Sequence, residues 1–348
     1  MKKINVVKEI SVNKNQNNTN GVFTIDNKKI FYKILNDSDF IKEIEGYNII
    51  RQYYKTPKLY FKIENKSKNI LGYEYNENIG KNNGLLIDYF VVEKKLDNNY
   101  YKILNTYKNV FLKTIKFVNC FNYKIFFDNR VNTRMKYNYE FIFNLLKKRN
   151  FRNKDDVSLD DIYKSIRHYY RINGKQKKWC IISQCDPNDL NICIDGTLFD
   201  YTAGGYVPLM AEFATFFWYN LVQCEYLSPK YNSKAFDNHN AIYKKMRKNN
   251  FINKRTLDIN VRPMRLDAII YYMEKVILPV LLNIDYKNWY YDFKNYLAMK
   301  ALAVFDFKKM SSKDIYISIK YLKLFYLKDF KTFKDFIKYM KEWRYSND

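Results

Sequence analysis

The chain begins with short β-branched and aromatic runs separated by polar clusters. "INVVKEISV" (4–12), "GVFTI" (21–25) and "KKIFYKIL" (28–35) read as strands, and "DNK" between the last two is a turn signal. "DSDFIKEIEGYNIIRQYY" (37–54) then changes to helical spacing. Phe40, Ile41, Ile44 and Tyr47 are expected on one face, with Asp37 or Ser38 as cap. Strands are predicted again at "PKLYFKIE" (57–64), "NILGYEY" (69–75) and "GLLIDYFVV" (84–92), giving the order β-β-β-α-β-β.

Beyond Asp88 the apolar spacing turns helical. "YYKILNTYKNVFLKTIKFVNCF" (100–121), "YNYEFIFNLLKK" (137–148) and "SLDDIYKSIRHYYRI" (158–172) carry it, with a capping box predicted from Ser158 to Asp161. "YVPLMAEFATFFWYNLV" (206–222) contains Glu212 and is short for a membrane span, so it reads as a buried helix. There is no internal repeat. The pattern predicts an α+β, bilobal fold: a small β-rich lobe over 1–90 and a larger, mostly helical lobe over 91–348. The second holds a hairpin segment at 181–205 and helices at 206–348.

Composition changes this picture little. The chain has 348 residues, 47% hydrophobic, with only 9 Gly and 6 Pro, which suits a folded globular protein rather than a low-complexity one. Its 61 Lys+Arg against 36 Asp+Glu give a net charge of +25, compatible with nucleic acid, anionic glycan or an acidic membrane surface. The charge is spread along the chain without a basic tail, and the abundant Lys, Asn, Ile, Tyr and Phe share A/T-rich codons. No recognised nucleic-acid motif accompanies it, which argues against that partner. Five cysteines without a CxxC pair and two histidines away from ligand spacing argue against zinc. The odd cysteine count and a start without an apolar h-region point to a cytoplasmic protein.

The chemistry concentrates in "IISQCDPNDLNICIDGTLFDYTAGG" (181–205). Asp195-Gly196 between "NICI" and "TLFD" signals a two-residue hairpin loop. Counting outwards sets Ile194 opposite Thr197, Cys193 opposite Leu198, Ile192 opposite Phe199 and Asn191 opposite Asp200. An amide oxygen and a carboxylate would then share one space, as two ligands of a Mg²⁺ could. Asp186 lies five residues before Asn191, and D-x-x-x-x-N followed by a strand-borne Asp is the spacing of phosphotransferases with a protein-kinase fold.

At these residues the chain resembles the aminoglycoside phosphotransferase and choline kinase family. That family's stretch has the form H-G-D-x-x-x-x-N-I, a hairpin, then I-D-F/Y/W and small residues. Here it reads Gln184-Cys185-Asp186-Pro187-Asn188-Asp189-Leu190-Asn191-Ile192, then Leu198-Phe199-Asp200-Tyr201. The resemblance implies a protein-kinase-like fold, with Asp186 as catalytic base and Asn191 and Asp200 as Mg²⁺ ligands. Gln184 stands where the family has His, and Glu212 where Asp is usual. Asp189 is a second loop carboxylate, either a substrate contact or a solvated residue.

Such a site needs a strand lysine on the nucleotide phosphates, held by a helix glutamate. Lys33, between apolar neighbours and on the strand face of Phe31 and Leu35, is the candidate. Glu45, twelve residues before Pro57, is its expected partner, with Glu43 the alternative. "LLIDYF" (85–90) resembles the linker between lobes, whose backbone binds adenine, and Tyr89 is named there. No G-x-G-x-x-G or Walker loop is present, and only Gly21 closes the first loop.

The function expected is an ATP- and Mg²⁺-dependent phosphotransferase acting on a hydroxyl of a small molecule, sugar or glycan. The helices after 208 are expected to build the acceptor pocket. The basic stretch 228–256 favours a neutral or anionic acceptor over a cationic one. The alternatives are a catalytically silent relative that binds nucleotide or a partner, and a basic nucleic-acid-binding protein.

Overall fold

The computed structural model describes residues 8–14, 19–25, 27–64, 68–78, 84–93, 95–120, 130–149, 159–173, 176–232, 252–253 and 258–345. The capping box at Ser158, His239 and most of the basic stretch 228–256 lie outside them.

The alternating runs at the start form one antiparallel sheet. Its strands are β1 (Lys8–Lys14), β2 (Thr19–Ile25), β3 (Lys28–Leu35), β4 (Leu59–Ile63) and β5 (Asn69–Glu74), in the order β1-β2-β3-β5-β4. Lys33 therefore lies on the central strand, between Asn20 of β2 and Leu71 of β5. Gly21 does not close a loop; it sits inside β2, opposite Tyr32.

Helix α1 (Asp37–Ile50) joins β3 to β4, capped by Asn36, whose side chain accepts from the Asp39 amide at 2.9 Å, rather than by Asp37 or Ser38. Its inward face carries Phe40, Glu43, Gly46, Tyr47 and Ile50, whereas Ile41 is exposed. The apolar stripe read from the sequence was thus rotated by about one residue. A buried glutamate occupies the inner face, and apolar spacing cannot announce it.

The predicted strand 84–92 is a helix, α2 (Leu86–Val92), with only Leu85 in an extended bridge, to Cys193. Asp88 folds back to accept the Leu85 amide at 3.1 Å, a start signal that outcompetes the β-type composition. A continuous apolar run of this length does not separate strand from helix by period alone.

The rest is mainly helical: α3 (Asn98–Thr114), α4 (Lys136–Arg149), α5 (Leu159–Asn173), α6 (Leu209–Trp218), α7 (Pro263–Tyr271), α8 (Trp289–Ala303), α9 (Ser312–Tyr326) and α10 (Phe333–Tyr345). Wider π turns precede α4 (Val131–Met135) and extend α6 (Tyr219–Leu227) and α7 (Tyr272–Ile277). Every residue of α6 is buried, as its uninterrupted apolar sequence requires. Phe213 stacks on Phe293 of α8 at a centroid distance of 4.8 Å, Phe217 meets the same ring edge-on at 5.4 Å, and both meet Phe336 of α10. The aromatic excess is spent on this core. The α+β, two-lobed architecture expected from the pattern is the one observed. Among the described residues no helix is long and apolar enough to cross a membrane.

A three-stranded sheet, β6 (Lys116–Val118), β7 (Lys178–Ser183) and β8 (Gly205–Pro208), positions the chemistry. Ser183 pairs with Gly205, so the segment 184–204 leaves and re-enters the sheet at one point. All five cysteines are free thiols.

Candidate active site

Residues 184–204 fold back towards the first sheet. Cys193 N donates to Thr197 O (2.8 Å), Gly196 N to Cys193 O (2.9 Å), and Phe199 N to Asn191 O (2.9 Å), while Ile192 bridges Leu198. The loop therefore holds three residues, Ile194-Asp195-Gly196, with Gly196 at φ +80° as such loops require. This corrects the two-residue turn: the register is one residue off, and Asn191 lies opposite Phe199, not Asp200. Asp195 gives the reason. Its carboxylate accepts Lys55 Nζ (2.8 Å) and Asn78 Nδ2 (3.3 Å), distant residues that a local count omits, as well as the Thr197 amide (3.0 Å) within the hairpin.

A slip of one residue turns every side chain of a strand to the other face. Asp200 adopts φ +63°, uncommon for a non-glycine, which breaks that alternation. Its Oδ1 lies 3.5 Å from Lys33 Nζ and 3.1 Å from Thr202 Oγ1. The Lys33 charge holds the Asp200 carboxyl below the usual carboxylate range. Cys185, immediately before Asp186, is also left-handed (φ +64°).

Lys33 Nζ meets Glu43 Oε1 at 2.6 Å, and its side chain is 16% exposed. Burial opposes its charge, but the carboxylates of Glu43 and Asp200 outweigh that and raise its pKa above the ordinary lysine value. Glu43, not Glu45, is the partner; Glu45 is exposed. The two stand roughly 200° apart around a helix, so only one of them can face β3. The other oxygen of Glu43 accepts the Tyr201 amide (3.0 Å) and Thr202 Oγ1 (2.9 Å), so one buried carboxylate joins β3, α1 and the segment after Asp200.

Asp186 and Asn191 form the other half. Asp186 Oδ2 accepts Asn188 Nδ2 (2.9 Å) and Asn191 Nδ2 (3.3 Å). With its nitrogen so engaged, Asn191 keeps its amide oxygen as a ligand atom. Burial raises the Asp186 pKa and Asp200 adds to the rise, while Lys300 and Arg130 oppose it. Lys300 Nζ of α8 lies 3.9 Å from Asp186 Oδ1. Gln184, fully buried, donates from Nε2 to the Asp186 carbonyl (3.2 Å) and bridges to Tyr107 (3.4 Å), so it braces the loop. Glu212 is fully buried behind this loop, and burial pushes its carboxyl up to about 8.

Tyr89 and Asp189 are both buried. Tyr89 is buried and stacked on Tyr100; its hydroxyl accepts the Asp97 amide (2.8 Å), so it is tied inside the helical part. Asp189 is buried, and its carboxylate lies 2.6 Å from Arg265 NH1. It is an ion-pair partner rather than a substrate contact or a solvated loop residue. Lys300, Arg130 and Arg265 were missed by the sequence reading, since each lies far along the chain in a helical run without a local signature.

The donors left for a cation are the second Asp200 oxygen and the Asn191 amide oxygen, hard ligands that fit Mg²⁺ rather than a softer metal. Among the described residues no group of three or more His, Cys, Asp or Glu is placed to hold a metal alone. Two protein ligands, with phosphate and water completing the shell, is how Mg²⁺ is usually carried.

No family model matches the chain, and no curated protein matches it in sequence. Among solved structures it is similar to a thermostable mutant of aminoglycoside phosphotransferase APH(4)-Ia in ternary complex with ADP and hygromycin B. The TM-score is 0.43 and the identity 9%, over 86% of this chain and 94% of that one. It is also similar to spectinomycin phosphotransferase APH(9)-Ia with ADP and spectinomycin, with TM-score 0.40 and 9% identity over 97% and 94% of the two chains. A microcompartment-associated aminopropanol kinase gives TM-score 0.41 and 9% identity over 92% and 94%.

Proposed function

We propose that the chain is an ATP- and Mg²⁺-dependent phosphotransferase that phosphorylates a hydroxyl of a small molecule, sugar or glycan. The observation that carries this reading is Lys33, which lies within 3.5 Å of both Glu43 and Asp200. A strand lysine paired with a helix glutamate, beside a loop bearing Asp and Asn, is the arrangement that phosphoryl transfer uses.

In this reading Lys33 binds the nucleotide phosphates while Glu43 fixes its direction. Asp200 and Asn191 hold Mg²⁺, which neutralises charge on the phosphates. Asp186 orients the acceptor hydroxyl and takes its proton; burial favours its protonated form, which helps it accept one. Gln184 fixes the Asp186 backbone where the family has His, which supports an active site over a silent one.

The test compares nucleotide binding with turnover. ATP should raise the Tm of the protein only with Mg²⁺, and Asp200→Ala should abolish that shift. Asp186→Asn should keep the shift but lower kcat by about 100-fold or more in a phosphate-transfer assay. Full turnover in Asp186→Asn removes the base assignment, and the absence of any Mg²⁺-dependent shift removes the kinase reading.

A further inference from the structure

The two oxygens of the Asp186 carboxylate are held in different ways. Oδ2 accepts two amide hydrogens from its own loop, from Asn188 Nδ2 at 2.9 Å and Asn191 Nδ2 at 3.3 Å. Among the described residues Oδ1 accepts no hydrogen bond, and the group that reaches it is Lys300, with Nζ at 3.9 Å. The terminal torsion of a carboxylate is broad, so rotamer preference alone does not aim it. A carboxylate beside the proposed metal ligand Asn191 serves as a base only if one oxygen stays turned to the acceptor hydroxyl.

Lys300 comes to Oδ1 from a fixed element. It lies in the last turn of α8, between the buried Met299 and Ala301. Side chains from 130–138 pin that turn. Arg130 NH1 donates to the Ala303 carbonyl (3.3 Å), Arg134 NH1 to Val304 (3.0 Å) and Asn138 Nδ2 to Leu302 (2.7 Å). A lysine in such a turn can also serve the helix C-terminus. Here the three donors already meet the terminal carbonyls, and Lys300 donates no hydrogen bond to any described residue. Its side chain is 16% exposed, so the ammonium has lost most of its water, and its charged partner is Asp186.

The pair also differs from the buried ion pairs elsewhere in the chain. Lys33 and Glu43 close to 2.6 Å and Lys178 and Asp292 to 2.9 Å, whereas Lys300 and Asp186 stay 3.9 Å apart. At that separation the charge still acts on Oδ1 while the oxygen keeps its lone pairs for another donor.

We infer that Lys300 is a positioning residue for phosphoryl transfer, holding Oδ1 of Asp186 as the oxygen that receives the acceptor proton while Asn188 holds Oδ2. This rests on the phosphotransferase reading above and adds a residue to it. The hydroxyl proton passes to Oδ1 as the acceptor oxygen bonds the γ-phosphorus and the bond to the ADP oxygen breaks. Lys300 acts through Asp186, so its effect should vanish once Asp186 has lost its charge.

The test follows ADP release from MgATP by the full-length protein, with water as the acceptor. Lys300→Met and Lys300→Gln should each lower kcat about tenfold or more, with KM for MgATP and the MgATP-induced Tm shift unchanged. Lys300→Arg, which keeps the cation, should restore at least about a third of the rate. In an Asp186→Asn background, Lys300→Met should cause no further loss. Wild-type kcat in both neutral variants overturns the inference. So does a further tenfold loss in the double variant, which would make Lys300 independent of Asp186. A fall in Tm or in the MgATP shift with every Lys300 variant, Lys300→Arg included, overturns it in favour of a structural role. If the wild-type protein shows neither a Mg²⁺-dependent shift nor ADP release, the phosphotransferase reading itself falls, a result distinct from these.

Discussion

Glu212 shows what one buried group does at the residue scale. It lies fully inside the protein behind Asp186, with its carboxyl pushed up to about 8, mainly by burial and further by the Asp186 charge. A carboxyl raised in the folded state keeps its proton where the unfolded chain has lost it. Between the ordinary glutamate value near 4.5 and about 8 the folded protein holds one extra proton. Stability from this group is therefore present at the acid end of that window and is lost as pH rises through it. The expected slope is at most about 1.4 kcal/mol per pH unit. Glu212→Gln should flatten it, as followed by urea unfolding between pH 5 and 8; an unchanged slope would rule out Glu212 as the source. The same scale shows where reading from the chain stopped. That Lys33 would meet a helix glutamate and that Asp186 and Asn191 would share one loop was legible from residue type, spacing and strand context. Glu43 and Glu45 were not separable, since the choice depends on helix rotation by a residue or two.

Among the elements, the contact between α1 and the segment after Asp200 governs the site. Gly46 makes it possible. A Cβ there would lie 1.9 Å from the Tyr201 carbonyl oxygen, so only glycine lets the helix approach. One turn earlier on the same helix, Glu43 reaches the Tyr201 amide and Thr202 across that contact. Alanine normally favours a helix over glycine by about 1 kcal/mol. Gly46→Ala should reverse that sign, destabilising by about 1–3 kcal/mol through the forced shift. It should also weaken the MgATP shift, because α1 moves away with Glu43. A stabilised variant with full nucleotide binding would show that the contact is not needed. The hairpin teaches a related lesson. "DG" announced a turn correctly, but its three-residue form depends on Lys55 and Asn78, which are remote in sequence.

Across the whole molecule, one buried cation ties the loop that bears Asp186 to several helices at once. Arg265 of α7, 1% exposed, reaches Asp189 of the loop (2.6 Å), Glu225 (3.1 Å) and Asn220 (3.0 Å), and lies 3.6 Å over the Phe90 ring of α2. Removing one partner from such a set leaves buried charges unpaired. Arg265→Met should cost about 3–5 kcal/mol in denaturant unfolding, and a loss below about 1 kcal/mol would show the cluster to be dispensable. By itself the sequence determined the order of elements, the sheet-then-helix division, the buried α6 and the identity of the loop residues. These follow from local periodicity, turn chemistry and residue type, which act over a few positions. Only the tertiary structure decided that 86–92 is helical, that Glu43 rather than Glu45 faces Lys33, that Asn191 and Asp200 are offset by one, and that Lys300 and Arg265 reach the loop. The last three depend on charges or hydrogen bonds supplied from other segments, which burial makes outweigh the local pattern, whereas the helix rests on Asp88 folding back on the Leu85 amide.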